Sequence, residues 1–148
     1  MLSIGTLAKQ TGVKVPTIRY YEQAGLLAEP ERTSGNQRRY SARDAERLGF
    51  IRHARDLGFP IEAVRRLIDL SDRPDRPCHD ADRIAGEQLV DVRARIARLK
   101  RLEAELERMT SACSADSADQ CHVLKTLADH SMCEGHHEPE AGAEKARF

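Results

Sequence analysis

The segment that most constrains this chain is a long amphipathic stretch in its second half. From about Ala81 to Thr110 it contains no proline and, after Gly86, no glycine, which predicts one uninterrupted helix. Apolar residues recur along it at spacings of three and four, with Leu102 beside an interruption at Glu103: Leu89, Val92, Ile96, Leu99, Leu106 and Met109. A helix of roughly 30 residues and about 45 Å cannot cover such a stripe within a domain this small. We therefore expect the stripe to pair with a second copy, as a homodimer.

Composition narrows the function. Aromatic residues are only 4% of the chain and tryptophan is absent, so a large aromatic-lined substrate pocket is not expected. The sequence has no Ser-His-Asp order, no phosphate-binding glycine loop and no paired acids on one helix, so no enzyme and no catalytic residues are predicted. Apolar runs are too short to span a membrane, and the start MLSIGTLAKQ lacks the pattern of a signal peptide. We expect a cytoplasmic protein with no membrane partner.

The net charge of zero hides an uneven distribution. Residues 1–77 carry 14 basic and 10 acidic side chains, whereas residues 78–148 carry 10 basic and 14 acidic ones. The first half is therefore the part expected to meet a polyanion such as double-stranded DNA.

Two short helices at the start of the chain have helix-turn-helix spacing. Ser3 can cap a helix through Lys9, residues 11–13 predict a tight turn, and Pro16 suits the start of a second helix ending near Gly25. A plain helical hairpin has the same spacing, but in a helix-turn-helix protein the second helix enters the major groove. In that interpretation the donors to phosphates and base edges are Lys14, Thr17, Arg19 and Tyr20.

The next segment predicts a small hairpin with a basic tip, from turn residues at positions 30, 35 and 36 followed by Arg38-Arg39-Tyr40. Such a wing can grip backbone phosphates. The capping-box pattern Ser41-Ala-Arg-Asp44 opens a helix that closes at Gly58, and Pro60 begins another. Residues 71–77, with two prolines, predict a linker before the long helix.

Three of the four cysteines lie where an antiparallel dimer would bring them together. Cys113 follows Leu106 by seven residues and stays in phase with the stripe, while Cys78 lies just before the helix. The position midway between them falls next to Ile96, so Cys78 of one subunit would meet Cys113 of the other. Cys121 follows a polar loop that can fold back toward Cys113. Three thiolates at each end of the dimer predict a metal site.

Other interpretations of these cysteines stay open. Each alone is typical of a small buried hydrophobic residue, and three close thiols can also form a redox switch. Candidates for a fourth metal ligand are His79, His122, Asp116 and Asp119. Cys133 with His136 and His137 is either an auxiliary ligand set or a metal-scavenging tail.

Five short motifs follow one another in a specific order, namely Ile18-Arg19-Tyr20-Tyr21-Glu22, Gly25-Leu26-Leu27, Asn36-Gln37-Arg38-Arg39-Tyr40, Ile51-Arg52 and Leu57-Gly58-Phe59. With them, the chain over about residues 1–125 resembles the mercuric-resistance regulator (MerR) family of bacterial transcription activators. The resemblance implies a mainly α protein with a winged helix-turn-helix domain, a second helical pair, a long antiparallel coiled-coil dimerisation helix and a C-terminal metal-binding loop. The predicted parts are a DNA-binding domain (1–70), a linker (71–80), the dimerisation helix (81–111), a metal-binding loop with a short helix (112–130) and a mobile tail (131–148).

The resemblance also implies individual DNA contacts. They fall on Thr17, Arg19 and Tyr20 of the second helix and on Arg38 and Tyr40 of the wing. The wing departs from the family's usual Gly-Tyr-Arg, because residues 36–38 read Asn-Gln-Arg and a glutamine that can offer a hydrogen bond replaces the aromatic.

The metal-sensing branch of the family has cysteines matching Cys113 and Cys121, and its divalent-ion sensors add one matching Cys78, donated across the dimer. The copper sensors of the family have two thiolate ligands, with a spacing similar to that between Cys113 and Cys121. A third thiolate instead favours an ion with trigonal or tetrahedral coordination. We predict Zn(II) or Cd(II) ahead of Pb(II) or Hg(II), with Cu(I) or Ag(I) as the alternative. Zinc sensors usually have a Cys-Cys pair where this chain has Cys113-Ser114, so one ion or two per site stays open.

The predicted function is a metal-responsive activator of efflux or detoxification genes. The homodimer would bind promoter DNA, and metal binding would distort the operator so that RNA polymerase holoenzyme engages both promoter elements. A thiol redox-responsive regulator and a metal-storage protein are the alternatives. Storage predicts several ions per chain and no affinity for DNA.

Overall fold

The computed structural model describes residues 1–111, 118–129 and 131. These residues are mainly helical, as predicted, and belong to two compact units that divide after Gln88. In chain order the elements are α1 (Ile4–Thr11), α2 (Val15–Gln23), β1 (Glu31–Arg32), β2 (Arg38–Arg39), α3 (Ala42–Asp56), α4 (Ile61–Ser71), α5 (His79–Ser111), a 3-10 turn (Ala118–Gln120) and α6 (His122–Ala128). The predicted mobility of residues 131–148 concerns a segment that, apart from Ser131, lies outside the described residues.

Local sequence explains where the helices of the first unit begin and end. The Ser3 hydroxyl accepts a hydrogen bond from the backbone N–H of Thr6, and α1 continues two residues beyond the predicted Lys9. It ends because Gly12 takes a left-handed conformation, with φ of 69°. The predicted capping box of α3 is present, since the side chains of Ser41 and Asp44 each accept a hydrogen bond from the other's backbone N–H.

The core of the first unit forms where α1, α2, α3 and α4 present their apolar faces to one another. Fully buried side chains come from every one of these helices, namely Leu7, Ile18, Leu48, Ile51 and Val64, each 0% exposed. Burial of aliphatic side chains supplies about 1.5–3 kcal/mol each. This packing makes the helix-turn-helix and the second helical pair a single body.

The strands β1 and β2 form a two-stranded antiparallel hairpin, the predicted wing, with Arg32 paired to Arg38. At its tip Asn36 has a φ of 61°, a left-handed conformation that asparagine tolerates better than most residues. Asparagine can therefore stand where the family usually has glycine. Arg32 donates a 2.8 Å hydrogen bond to the Asn36 side chain, which fixes the tip further.

Gly58, between α3 and α4, has a φ of 84°, and a Cβ there would lie 2.7 Å from Nε2 of Gln88. That nitrogen donates a 3.1 Å hydrogen bond to the carbonyl of Leu57, which connects the turn to the third turn of α5. We expect Gly58→Ala to lower the free energy of unfolding by about 1–2 kcal/mol, because alanine is strained at this φ and displaces Gln88.

The measurement is urea unfolding, with Gly49→Ala as the matched control. Gly49 lies inside α3 and a Cβ there meets nothing within 4 Å, so alanine should instead stabilise the protein by about 0.5–1 kcal/mol. Equal effects of the two substitutions would contradict the explanation.

The long helix α5 runs for 33 residues, from His79 to Ser111, so it begins two residues before the predicted dimerisation helix and ends at its predicted last position, 111. Much of its apolar stripe is open in the single chain, with Ile96 46% and Leu99 60% exposed. Met109 differs, since it is only 5% exposed and is already covered within its own chain. Within the described residues, none of the helices is both long and apolar enough to cross a bilayer.

Candidate nucleic-acid interface and effector site

Helix α2 has one buried and one open face. Ile18 and Tyr21 point into the core, 0% and 6% exposed, so the opposite face presents Arg19 and Tyr20 to solvent. Tyr20 is 51% exposed, which for a large aromatic ring on a basic helix suits a partner surface. Of the predicted contacts on this element, Arg19 and Tyr20 thus lie together on the open face.

Lys14 and Thr17 line a different feature, a shallow cavity of about 220 Å³ beside the start of α2. Its other walls include Arg52 and Arg55 of α3, neither of which is among the predicted DNA contacts. Both arginines also stabilise the fold, because Arg52 donates to the carbonyl of Thr11 and Arg55 to that of Phe59. The cavity groups three basic side chains at the base of α2, which extends the positively charged surface beyond the predicted residues.

The wing residues Arg38 and Tyr40 are placed differently from each other. The Arg38 side chain is 32% exposed, whereas Tyr40 is 1% exposed and its hydroxyl donates a hydrogen bond to Glu22. Burial raises the pKa of Tyr40 well above its ordinary value, and the carboxylate of Glu22 raises it further, so the hydroxyl stays a donor. This placement argues against the predicted direct contact of Tyr40 with DNA, because the hydroxyl lies inside the protein.

The predicted metal ligands within the described residues lie at helix starts. Cys78 is exposed and directly precedes α5, whose first residue, His79, is also exposed. Cys121 is half-buried and directly precedes α6, where its carbonyl accepts a hydrogen bond from Lys125. His122, the first residue of α6, is half-buried, with Nε2 3.4 Å from the hydroxyl of Thr126.

The remaining predicted ligands fall elsewhere. Cys113, Asp116, Cys133, His136 and His137 lie outside the described residues, as does the side chain of Asp119. Among the residues that the structure describes, no group of three His, Cys, Asp or Glu side chains converges on a point that could hold a metal ion. The three-cysteine site therefore stays a prediction.

Comparison with known proteins gives the family. Residues 2–71 match the profile described as MerR HTH family regulatory protein, and residues 45–109 match the profile described as MerR, DNA binding. The chain is 41% identical over 130 residues to the HTH-type transcriptional regulator ZntR of Escherichia coli K12, covering 86% of this chain and 92% of that protein. The chain belongs to the MerR family of transcriptional regulators.

Other relatives have names that refer to metals. The mercuric resistance operon regulatory protein of Pseudomonas fluorescens is 39% identical over 127 residues, which cover 85% of this chain and 87% of that protein. The crystal structure of the transcription regulator PbrR691 from Ralstonia metallidurans CH34, in complex with lead(II), superposes with a TM-score of 0.74 at 35% identity. It covers 86% of this chain and 99% of that one. The predicted family and its metal-sensing branch are thereby confirmed.

Family membership settles several predictions together. The protein is a DNA-binding transcriptional regulator of the MerR type and not an enzyme. MerR regulators bind promoter DNA as dimers, so the predicted partners, double-stranded DNA and a second copy of the chain, are confirmed as well. The open stripe of α5 is consistent with that dimer.

Proposed function

We propose that this MerR-family protein senses a divalent thiophilic metal ion through Cys78, Cys113 and Cys121 and activates efflux or detoxification genes in response. The observation that carries the proposal is the position of two cysteines, each directly before a helix, in a chain similar to regulators named for mercury resistance and crystallised with lead(II). A ligand at the start of a helix can pull on that whole helix when an ion binds.

Cysteine chemistry favours a soft or borderline ion. Three thiolates suit the trigonal or tetrahedral geometry of Zn(II), Cd(II), Pb(II) or Hg(II), while a pair suits Cu(I) or Ag(I). We place Zn(II) and Cd(II) first and Cu(I) as the alternative. His79 and His122 directly follow Cys78 and Cys121 in sequence and are the candidates for a fourth ligand, with Cys133 as a third candidate.

In the proposed mechanism, the metal ion links the two subunits of the dimer and so changes the position of their DNA-binding units. In an antiparallel pair, an ion held by Cys78 of one subunit and by Cys113 and Cys121 of the other ties the start of one α5 to the end of its partner. A state that binds the ion more tightly becomes the populated one, and the DNA-binding units then hold the operator bent and untwisted. RNA polymerase holoenzyme could then engage both promoter elements.

The test is transcription from a promoter that the wild-type dimer binds, with reduced protein and a series of Zn(II), Cd(II), Pb(II), Hg(II) and Cu(I). We expect Cys78→Ser and Cys121→Ser to raise the half-maximal concentration of the divalent ions by at least about tenfold, because each removes a ligand. Operator affinity without metal should stay the same. Equal transcription with every ion would refute metal sensing.

The variants also separate the alternatives. Tight Cu(I) response that does not depend on Cys78 would favour the copper sensor, and a response to Cys133→Ser would place the tail at the site. A thiol redox regulator predicts instead that peroxide activates transcription with a disulfide among Cys78, Cys113 and Cys121, visible by mass spectrometry.

A further inference from the structure

Glu22, near the end of α2, directs its carboxylate toward the wing, and its side chain is only 10% exposed. Its Oε1 accepts a hydrogen bond from the hydroxyl of Tyr40, and its Oε2 lies 3.3 Å from Nε of Arg38. Arg38 is in β2 and Tyr40 follows it directly. One carboxylate therefore connects the predicted recognition helix to the wing through two separate contacts.

Because the Glu22 carboxylate is largely buried, its two contacts are important for the stability of this part of the fold. A carboxylate removed from water loses its hydration and needs hydrogen-bond and charge partners in return. Tyr40 is 1% exposed and is also bound to the N-terminal segment of the chain. Its backbone forms two hydrogen bonds with the backbone of Leu2, of 2.7 and 2.9 Å. The end of β2 is thus held on both sides, and the Glu22 carboxylate supplies its link to α2.

The same arrangement orients the positive charge of the wing. The contact of Glu22 with Nε of Arg38, a buried atom, is an ion pair and not a hydrogen bond. The terminal guanidinium nitrogens carry four more N–H donors, which make no hydrogen bond within the described residues. Arg19 precedes Glu22 by three residues, so the two residues are neighbours along α2, and Arg19 is exposed. Its charge also acts on the hydroxyl of Tyr40. The charges of Arg19 and Arg38 therefore both act on the Tyr40 hydroxyl, which the Glu22 carboxylate holds.

We propose that Glu22 is a positioning residue of the DNA interface. Its carboxylate fixes Arg38 and the wing relative to α2, so that Arg19 and Arg38 meet the DNA backbone together. The proposal rests on the predicted DNA contact of Arg38. It makes a prediction opposite to simple electrostatics, because a carboxylate near DNA repels phosphates and its removal alone should strengthen binding.

The decisive comparison is between Glu22→Gln and Glu31→Gln in the full-length dimer. Glu31 lies in β1 of the same wing, is exposed, and loses the same charge on substitution. The probe is a DNA duplex selected by the wild-type dimer from a random library, titrated over a range of salt concentrations. We expect Glu22→Gln to weaken binding about tenfold and to flatten the salt dependence by about one phosphate contact per wing. Glu31→Gln should bind as tightly as wild type or more tightly.

Tighter or unchanged binding by Glu22→Gln would overturn the proposal. So would weaker binding with an unchanged salt dependence that follows the loss of folded protein in thermal unfolding, because that is the signature of a purely structural role.

Two further variants keep the test conclusive. Tyr40→Phe removes one hydroxyl and keeps the packing, so it should weaken binding in the same direction if Glu22→Gln does not fold. Arg38→Gln measures the wing contact itself. If Arg38→Gln leaves binding unchanged, the predicted contact is wrong, and the proposal fails with it. If Arg38→Gln weakens binding but Glu22→Gln and Tyr40→Phe do not, the contact exists without the positioning role.

Discussion

Replacing Ile96 and Leu99 together with aspartate is expected to convert the dimer into monomers and to weaken operator binding by about 10²–10⁴-fold. Both side chains belong to the apolar stripe of α5 and are 46% and 60% exposed in the single chain, so we expect the second copy to cover them. Ile96 lies near the predicted crossing point of the antiparallel pair, where the new charges of the two copies would face each other. Buried like charges without partners are strongly unfavourable.

Sedimentation measures the dimer, and gel shifts compare a full operator with a half-site duplex. The control is Arg101→Asp, which introduces the same residue on the opposite face of α5, where the chain is exposed. It should leave the protein dimeric. A double variant that stays dimeric at micromolar concentration would show that the stripe is not the dimer interface.

Leu48→Ala should lower the free energy of unfolding by about 2–5 kcal/mol. Leu48 is 0% exposed in the core that joins the helix-turn-helix to α3 and α4, and its removal leaves a cavity among Ile18, Ile51 and other buried side chains. With the free energy of unfolding lowered by this amount, a fraction of the protein unfolds at growth temperature, and DNA binding decreases with the folded fraction.

Urea unfolding at one fixed protein concentration measures the effect, because the stability of a dimer depends on concentration. Glu46→Ala, two positions earlier on α3 and exposed, should change stability by no more than about 0.5 kcal/mol. Since alanine is a better helix former than leucine or glutamate, helix propensity predicts no loss in either variant. Similar losses in both variants would contradict the explanation from core burial.

Local chemistry made most of the secondary structure predictable. The caps at Ser3 and Ser41 and the left-handed Gly12 and Gly58 lie where the sequence predicts helix boundaries. Helix ends depend on residues within a few positions, so a single sequence contains the relevant information. The extension of α1 beyond Lys9 shows the limit, since nothing in residues 9–11 prevents two more helical residues before the glycine.

Burial was less predictable than helix position. The spacing of apolar residues groups Met109 with the dimer stripe, but the structure covers Met109 within its own chain while Leu106 stays 60% exposed. Periodicity identifies a helix face and does not say which part of the chain packs on it. Tyr40 is a similar case, because a tyrosine beside two arginines is typical of a DNA contact, yet it is buried.

The sequence by itself determined the family, the order of helices and wing, the apolar stripe that is expected to pair with a second copy, and the place of Cys78 just before α5. Each of these depends on neighbouring residues or on a regular spacing along one element. Only the tertiary structure decided that Glu22 joins Arg38 and Tyr40, and that Arg52 and Arg55 lie beside Lys14. Those side chains are 16 or more positions apart, and folding brings them together because the shared core of α1, α2 and α3 fixes the distances between their helices.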